Sequence, residues 1–269
     1  MKTWKATLLI AALVFVVSAA VAPWIFAMLH PLLPNVPFRR LFDRVLLVVA
    51  ALALWPLFRS NGIRSWRELG YVPEMFRRRQ LPLGLALGLA SYGLGILCNA
   101  SSLHCGDNAW KLAGFVLTAI VVALIEETFF RGGLQNILQR QTNMCVALLV
   151  VSAVYSVVHF LKPSAANIAD DAVCWRSGFD YIARVASRSL REPSEWRGAV
   201  TLWLAGIALG WAFVRTRSLG LSIGLHAGWV FALKTAAWLG AGSFVDNMLL
   251  WPVLILLIAG IEWLSRRNK

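Results

Sequence analysis

Residues 112–134 read LAGFVLTAIVVALIEETFFRGGL, and the reading of this stretch decides the fold. From Leu112 to Ile125 no side chain is charged. The apolar run then takes in two adjacent acids, Glu126 and Glu127, before it ends. A membrane-crossing helix needs about 20 mostly apolar residues. A charge at the bilayer centre costs at least ~2.5–3.5 kcal/mol, so acids inside such a run are candidates for function.

The chain around this stretch has the same character. Of its 269 residues 59% are hydrophobic and 14% are charged, with 13 tryptophans. A soluble globular domain is about a quarter charged. Apolar runs that could each span a bilayer cover approximately 6–28, 41–58, 81–99, 112–134, 144–161, 199–214, 219–240 and 247–264, the sixth being short enough to extend into its flanks. The expected fold is all-α: one transmembrane domain over residues 1–269, a polytopic bundle of about eight helices. The connections 59–80 and 162–198 are polar, and the second is long enough to hold a short helix.

The net charge of +13 does not indicate nucleic acid, because the basic residues sit at the ends of apolar runs. There they act as topology signals and as contacts to the lipid bilayer. Fifteen Lys and Arg fall on the side of the N-terminus and ten on the other side, which places both termini in the cytoplasm. The compact loops suggest a bacterial plasma membrane. At the N-terminus, Lys2, Lys5 and the Ala20-Val21-Ala22 triplet resemble a signal peptide, but Pro23 would follow the cut and the apolar run continues to Met28. A retained first helix is expected. Cys98, Cys105, Cys145 and Cys174 lack the paired spacing of a structural zinc site, and a Cys105–Cys174 bridge is conceivable if both loops face an oxidising compartment.

Few ionisable groups lie inside spans. Asp43 and Glu262 stand near helix ends, and His30 and His104 in or beside loops. Glu126, Glu127, His159, His226 and Lys234 remain. Spans four and five form a hairpin turning near Gln141-Thr142-Asn143, with Glu126 about fifteen residues before the turn and His159 about sixteen after it. At 1.5 Å per residue both reach a depth of ~23 Å. His226 lies beyond a loop on the same side of the membrane. Glu127 and Arg131 are four apart in the favourable order for a helical ion pair, which would leave Glu126 available for proton transfer. Gly132 and Gly133 permit close helix approach. Tyr155 and Ser222 stand one turn from His159 and His226, each able to orient an imidazole. Lys234 reads as a snorkelling or carbonyl-paired residue.

Glu126-Glu127-x-x-x-Arg131, an aromatic ahead of His159, and His226 in a later span together resemble the CPBP family, over roughly Leu112 to Leu239. That family contains the type II CAAX prenyl endopeptidases and proteins of bacteriocin processing and immunity. The resemblance implies an intramembrane endopeptidase acting on a peptide or membrane-protein substrate. Glu126 would be the general base for a water molecule, with Glu127, His159 and His226 completing the catalytic set and Arg131, Tyr155 and Ser222 supporting it. His159 and His226 could instead hold a divalent metal such as zinc. Tyr155 replaces the family's usual Phe. Val230 stands where Asn or Asp is usual, four residues after His226, and Ser222 or Lys234 on the same face could substitute for it. Two alternatives remain open: an inactive membrane scaffold or immunity factor, and a proton-coupled transporter, which the lack of an inverted repeat disfavours.

Overall fold

The computed structural model describes residues 3–77, 79–99, 108–160, 168–189, 195–240 and 250–267. All regular structure among them is helical: α1 (Thr3–Leu29), α2 (Phe38–Ser60), the short α3 (Glu74–Arg77), α4 (Gln80–Asn99), α5 (Trp110–Glu127), a π-helical segment (Thr128–Gln135), α6 (Asn136–Gln141), α7 (Met144–Phe160), a 3₁₀ turn (Asp170–Ala172), α8 (Ser177–Ser189), α9 (Glu195–Thr216), α10 (Gly220–Trp238) and α11 (Leu250–Arg267). The backbone gathers into two compact units, residues 1–64 with 158–193, and residues 65–157 with 194–269.

In the first unit α1 and α2 form a hairpin, and α8 packs on α1. The long 162–198 connection thus holds the short helix its length suggested. Aromatic rings fill the space between these helices: Phe26 meets Phe38 edge-on at 5.5 Å, and Phe42 and Tyr181 lie 4.9 Å apart. Tyr181 reaches this core from an amphipathic helix. Burial, and then the nearby Asp43 carboxylate, push its phenol up to about 12. Pro37 offers no cap side chain to α2, and Asp170 supplies one from a distance by accepting from the Phe38 N–H at 3.0 Å.

In the second unit the closest helix pair is α4 with α10. Gly84 and Gly88 on α4 face Gly224 and Gly228 on α10, each set spaced by four. A Cβ built on Gly84 would lie 2.3 Å from the Leu221 carbonyl, and one on Gly224 2.1 Å from the Leu81 carbonyl. The two backbones therefore touch directly, the small-residue packing characteristic of membrane helices. Trp229 locks the pair by donating its indole N–H to the Ser91 hydroxyl at 2.8 Å.

Helix α5 has a membrane helix's two faces. Ala119, Ala123 and Glu127, spaced by four, are buried, while Val116, Leu117, Ile120, Val121 and Ile125 are exposed, Leu117 by 64%. Large apolar side chains outside and a carboxylate inside suit lipid rather than water as the surroundings. Four helical runs are long and apolar enough to cross a membrane, namely Ala12–Leu29, Phe38–Ser60, Trp110–Gln141 and Trp196–Thr216, with shorter apolar helices at Met144–His159 and Leu250–Trp263. The molecule is thus an all-α bundle with four candidate spans among the described residues, fewer than the eight expected. Helix α10 stands where the seventh was expected but is not among the four. It carries His226 and Lys234, and eleven of its residues are buried, so neighbouring helices rather than lipid surround much of it. The fourth expected span, 112–134, runs seven residues further, through the π-helical segment to Gln141, before the turn at Thr142–Asn143.

Candidate active site

Glu126 and Glu127 close α5, and the geometry divides their roles. The Glu127 side chain is 0% exposed and that of Glu126 15%. Glu127 Oε1 accepts from Arg131 Nη1 at 3.0 Å and lies 2.8 Å from His226 Nδ1. The other ring nitrogen, His226 Nε2, is 3.8 Å from Glu126 Oε2. One imidazole thus stands between two carboxylates, one sealed and ion-paired, the other nearer the surface.

Arg131 is fully buried. Beyond Glu127 it donates from Nη2 to the Gly206 carbonyl at 3.2 Å, and its guanidinium lies 4.7 Å from the centre of the Tyr155 ring. Four residues on, Gln135 repeats the pattern by donating to the Gly210 carbonyl at 3.1 Å. Both donors belong to the π-helical segment that begins at Thr128, directly after the acids. Such wide turns are frequent at functional sites, and here one lets two polar side chains a turn apart reach the same face of α9. Thr128 opens the segment, donating to the Leu124 carbonyl at 2.5 Å and meeting the Tyr71 hydroxyl at 2.6 Å.

His226 owes its orientation to the α4–α10 contact. Gly224 and Gly228 each lie two residues from it, about 200° around the helix. Pressing the glycines onto α4 therefore turns the imidazole the other way, towards α5. Tyr155 closes this side with its ring edge-on to His226, centroids 6.1 Å apart.

Most of the expected residues meet in this unit. Glu126, Glu127, Arg131, Tyr155 and His226 form one cluster. Ser222 does not orient the imidazole: its hydroxyl donates to the Leu219 carbonyl at 3.1 Å, and His226 Nδ1 is taken by Glu127. Val230 packs beside an apolar cluster that includes Met75, Ala119 and Ile223. Lys234 lies 5.8 Å from the centre of the Phe115 ring, a cation–π contact within the bundle. His159 lies in the last turn of α7 and belongs to the first unit. Cys174 is exposed with a free thiol, while Cys105 lies outside the described residues. The roles of Gly206, Gly210 and Gln135 were not anticipated, nor was the π-helical geometry. The paired glycines at four-residue spacing were readable signals for the α4–α10 contact.

Residues 107–232 match the profile of the type II CAAX prenyl endopeptidase Rce1-like family, just under half of the chain. This segment is similar to the CPBP/Rce1-like domains that the profile describes. Glu126, Glu127, Arg131, Tyr155, His159, Ser222, His226 and Val230 all fall within it. No curated protein and no solved structure matches the chain. Within this segment, Glu126 Oε2 and His226 Nε2 are close enough to share a metal ion, but Glu127 is engaged by both Arg131 and His226 Nδ1. Among the described residues no three His, Cys, Asp or Glu side chains form a metal-holding group. Within the second unit Glu126 and His226 supply two donors, where a catalytic zinc takes three protein ligands.

Proposed function

We propose that this Rce1-like protein is a membrane-embedded endopeptidase in which Glu126 activates a water molecule. The observation that carries the reading is the imidazole of His226 set between Glu127 and Glu126, at 2.8 and 3.8 Å. Glu127, ion-paired with Arg131, holds His226 through Nδ1 and leaves Nε2 facing Glu126. Glu126 takes a proton as the water oxygen bonds to the peptide carbonyl carbon. His226 donates from Nε2–H to the oxyanion. Glu126 then returns the proton to the leaving nitrogen as the C–N bond breaks, releasing a carboxylic acid and an amine. The family resemblance, rather than a distance, brings His159 into this set as a second oxyanion partner.

In the same reading α4, α7, α10 and α11 also cross the bilayer, giving the eight spans of the sequence reading, with both termini cytoplasmic in a bacterial plasma membrane. The substrate is a peptide or membrane protein.

The test is cleavage of a labelled peptide library by the purified chain in detergent beside Glu126→Gln. Removing a general base lowers the rate by ~10²–10⁴-fold. Equal cleavage by both proteins would remove Glu126 from the mechanism. Val230 supports a second reading, an inactive scaffold, because a valine against an apolar cluster offers no side-chain hydrogen bond to an oxyanion. Val230→Asn separates the two. A gain in cleavage of ~10-fold or more favours a protease lacking one donor. Silence from both wild type and Val230→Asn, with the fold intact, favours the scaffold.

A further inference from the structure

Away from the acid–imidazole cluster, the second unit holds a cleft of about 450 Å³. Ligand sites typically occupy ~300–1,000 Å³. Three arginines, Arg67, Arg140 and Arg217, line it against a single acid, Glu68. None of its lining residues belongs to the proposed catalytic set.

Three features make it a built site. First, its walls are stitched together. Asn136 donates its amide to the Glu68 carbonyl at 2.6 Å, and the Leu219 N–H donates to the Gly70 carbonyl at 3.0 Å, so the loop carrying Arg67 is tied to α6 and to the turn carrying Arg217. Second, the amide nitrogen of Gln139, another lining residue, is buried with no hydrogen-bond partner. A donor enclosed without an acceptor is costly, and its position in a cationic cleft calls for an anion. Third, Arg217 has φ of +54°, a left-handed conformation that a long side chain rarely adopts. Neither Arg67 nor Arg217 makes an ion pair with a described residue.

The cleft stands where two candidate spans end, Trp110–Gln141 and Trp196–Thr216, with Phe213 adding an apolar wall beside the arginines. Helix ends of this kind lie at headgroup depth, where basic pockets take anionic lipid. We propose that the cleft binds a phosphate group, that of an anionic glycerophospholipid, through the Arg67 and Arg217 guanidiniums and the Gln139 amide. Arg140, which also donates from Nε to the Asn136 side-chain oxygen at 3.3 Å, adds charge from the rim.

The experiment uses the full chain in detergent, with native mass spectrometry counting retained lipid. Phosphatidylglycerol, phosphatidylcholine and inorganic phosphate are titrated separately. Wild type is expected to hold one phosphatidylglycerol in preference to phosphatidylcholine. Arg67→Gln and Arg217→Gly should each weaken that binding by about tenfold or more, the loss expected for a charge-assisted contact. Arg217→Gly also relieves the left-handed backbone, so its thermal midpoint should not fall, and lost binding cannot be ascribed to misfolding. Arg184→Gln, a basic residue of the first unit, should bind as wild type does. Tight inorganic phosphate with no preference for phosphatidylglycerol, lost in the same variants, would keep the phosphate site and assign it a soluble ligand. Failure of wild type to bind either probe, or binding by both variants equal to wild type, would overturn the proposal.

Discussion

In the first unit, aromatic rings stand between the helices, while at the α4–α10 contact of the second unit the two backbones meet with no side chain between them. Rings can tilt and slide while still excluding solvent, so a core of Phe26, Phe38, Phe42 and Tyr181 tolerates small shifts. Four interlocked glycines allow almost no such freedom. The difference follows the chemistry each region carries. The imidazole of His226 must point at two particular carboxylates, and it rides on the helix whose rotation the glycines fix.

The harshest way to break this contrast is Arg131→Met. It leaves Glu127 buried and without its cation, and removal of one partner of a buried pair costs ~3–5 kcal/mol. Thermal unfolding in detergent should show the loss, and Glu127→Gln added to Arg131→Met should recover much of it. If Arg131→Met unfolds like wild type, the buried pair does not hold the second unit together.

A direct comparison comes next. Gly224→Ala forces a methyl into the Leu81 carbonyl, and overpacking of this kind costs ~1–3 kcal/mol. Phe42→Leu in the ring-filled core should cost less than ~1.5 kcal/mol. Reversal of that order would mean that the glycine contact is no stiffer than the aromatic one.

The smallest effect sharpens the picture outside the membrane helices. The Arg176 backbone N–H, and then the Ser177 hydroxyl, lower the thiol pKa of exposed Cys174. A lowered pKa means more thiolate at a given pH. Alkylation at neutral pH should therefore be faster at Cys174 than at Cys145, and Ser177→Ala should slow it modestly. Equal rates at the two cysteines would dismiss the local effect.

The local geometry around Glu127 was more legible in the sequence than the span count. Glu127 and Arg131 paired as their four-residue spacing required, and the hairpin turned within the Gln141–Asn143 segment, because both depend on local helix geometry. The orientation of Ser222 was not legible. A serine in a helix can return its proton to its own backbone, and only the position of Glu127 decides who takes His226 Nδ1. The π-helical segment was likewise hidden, since the carbonyls that its side chains reach, those of Gly206 and Gly210, are supplied from seventy-five residues away. Helix α10 departed from the hydropathy pattern because it answers to its neighbours more than to lipid.

The π-helical segment also sets a rule for which genetic lengths this protein can tolerate. Its wide turns hold more residues than an ordinary helix would need over the same rise. Deleting one residue, Gly133 for instance, would let the stretch rewind into a regular α-helix that still crosses the membrane and is no less helical. Within the segment the side chains would take up a different spacing around the axis, because i→i+5 bonds give way to i→i+4 bonds. Gln135 would swing away from Gly210 while Glu126 and Glu127 kept their places. The natural chain is therefore one letter from a well-formed helix with its polar lattice out of step, and a frame-preserving codon loss in this segment would damage it in a way that hydropathy could not register.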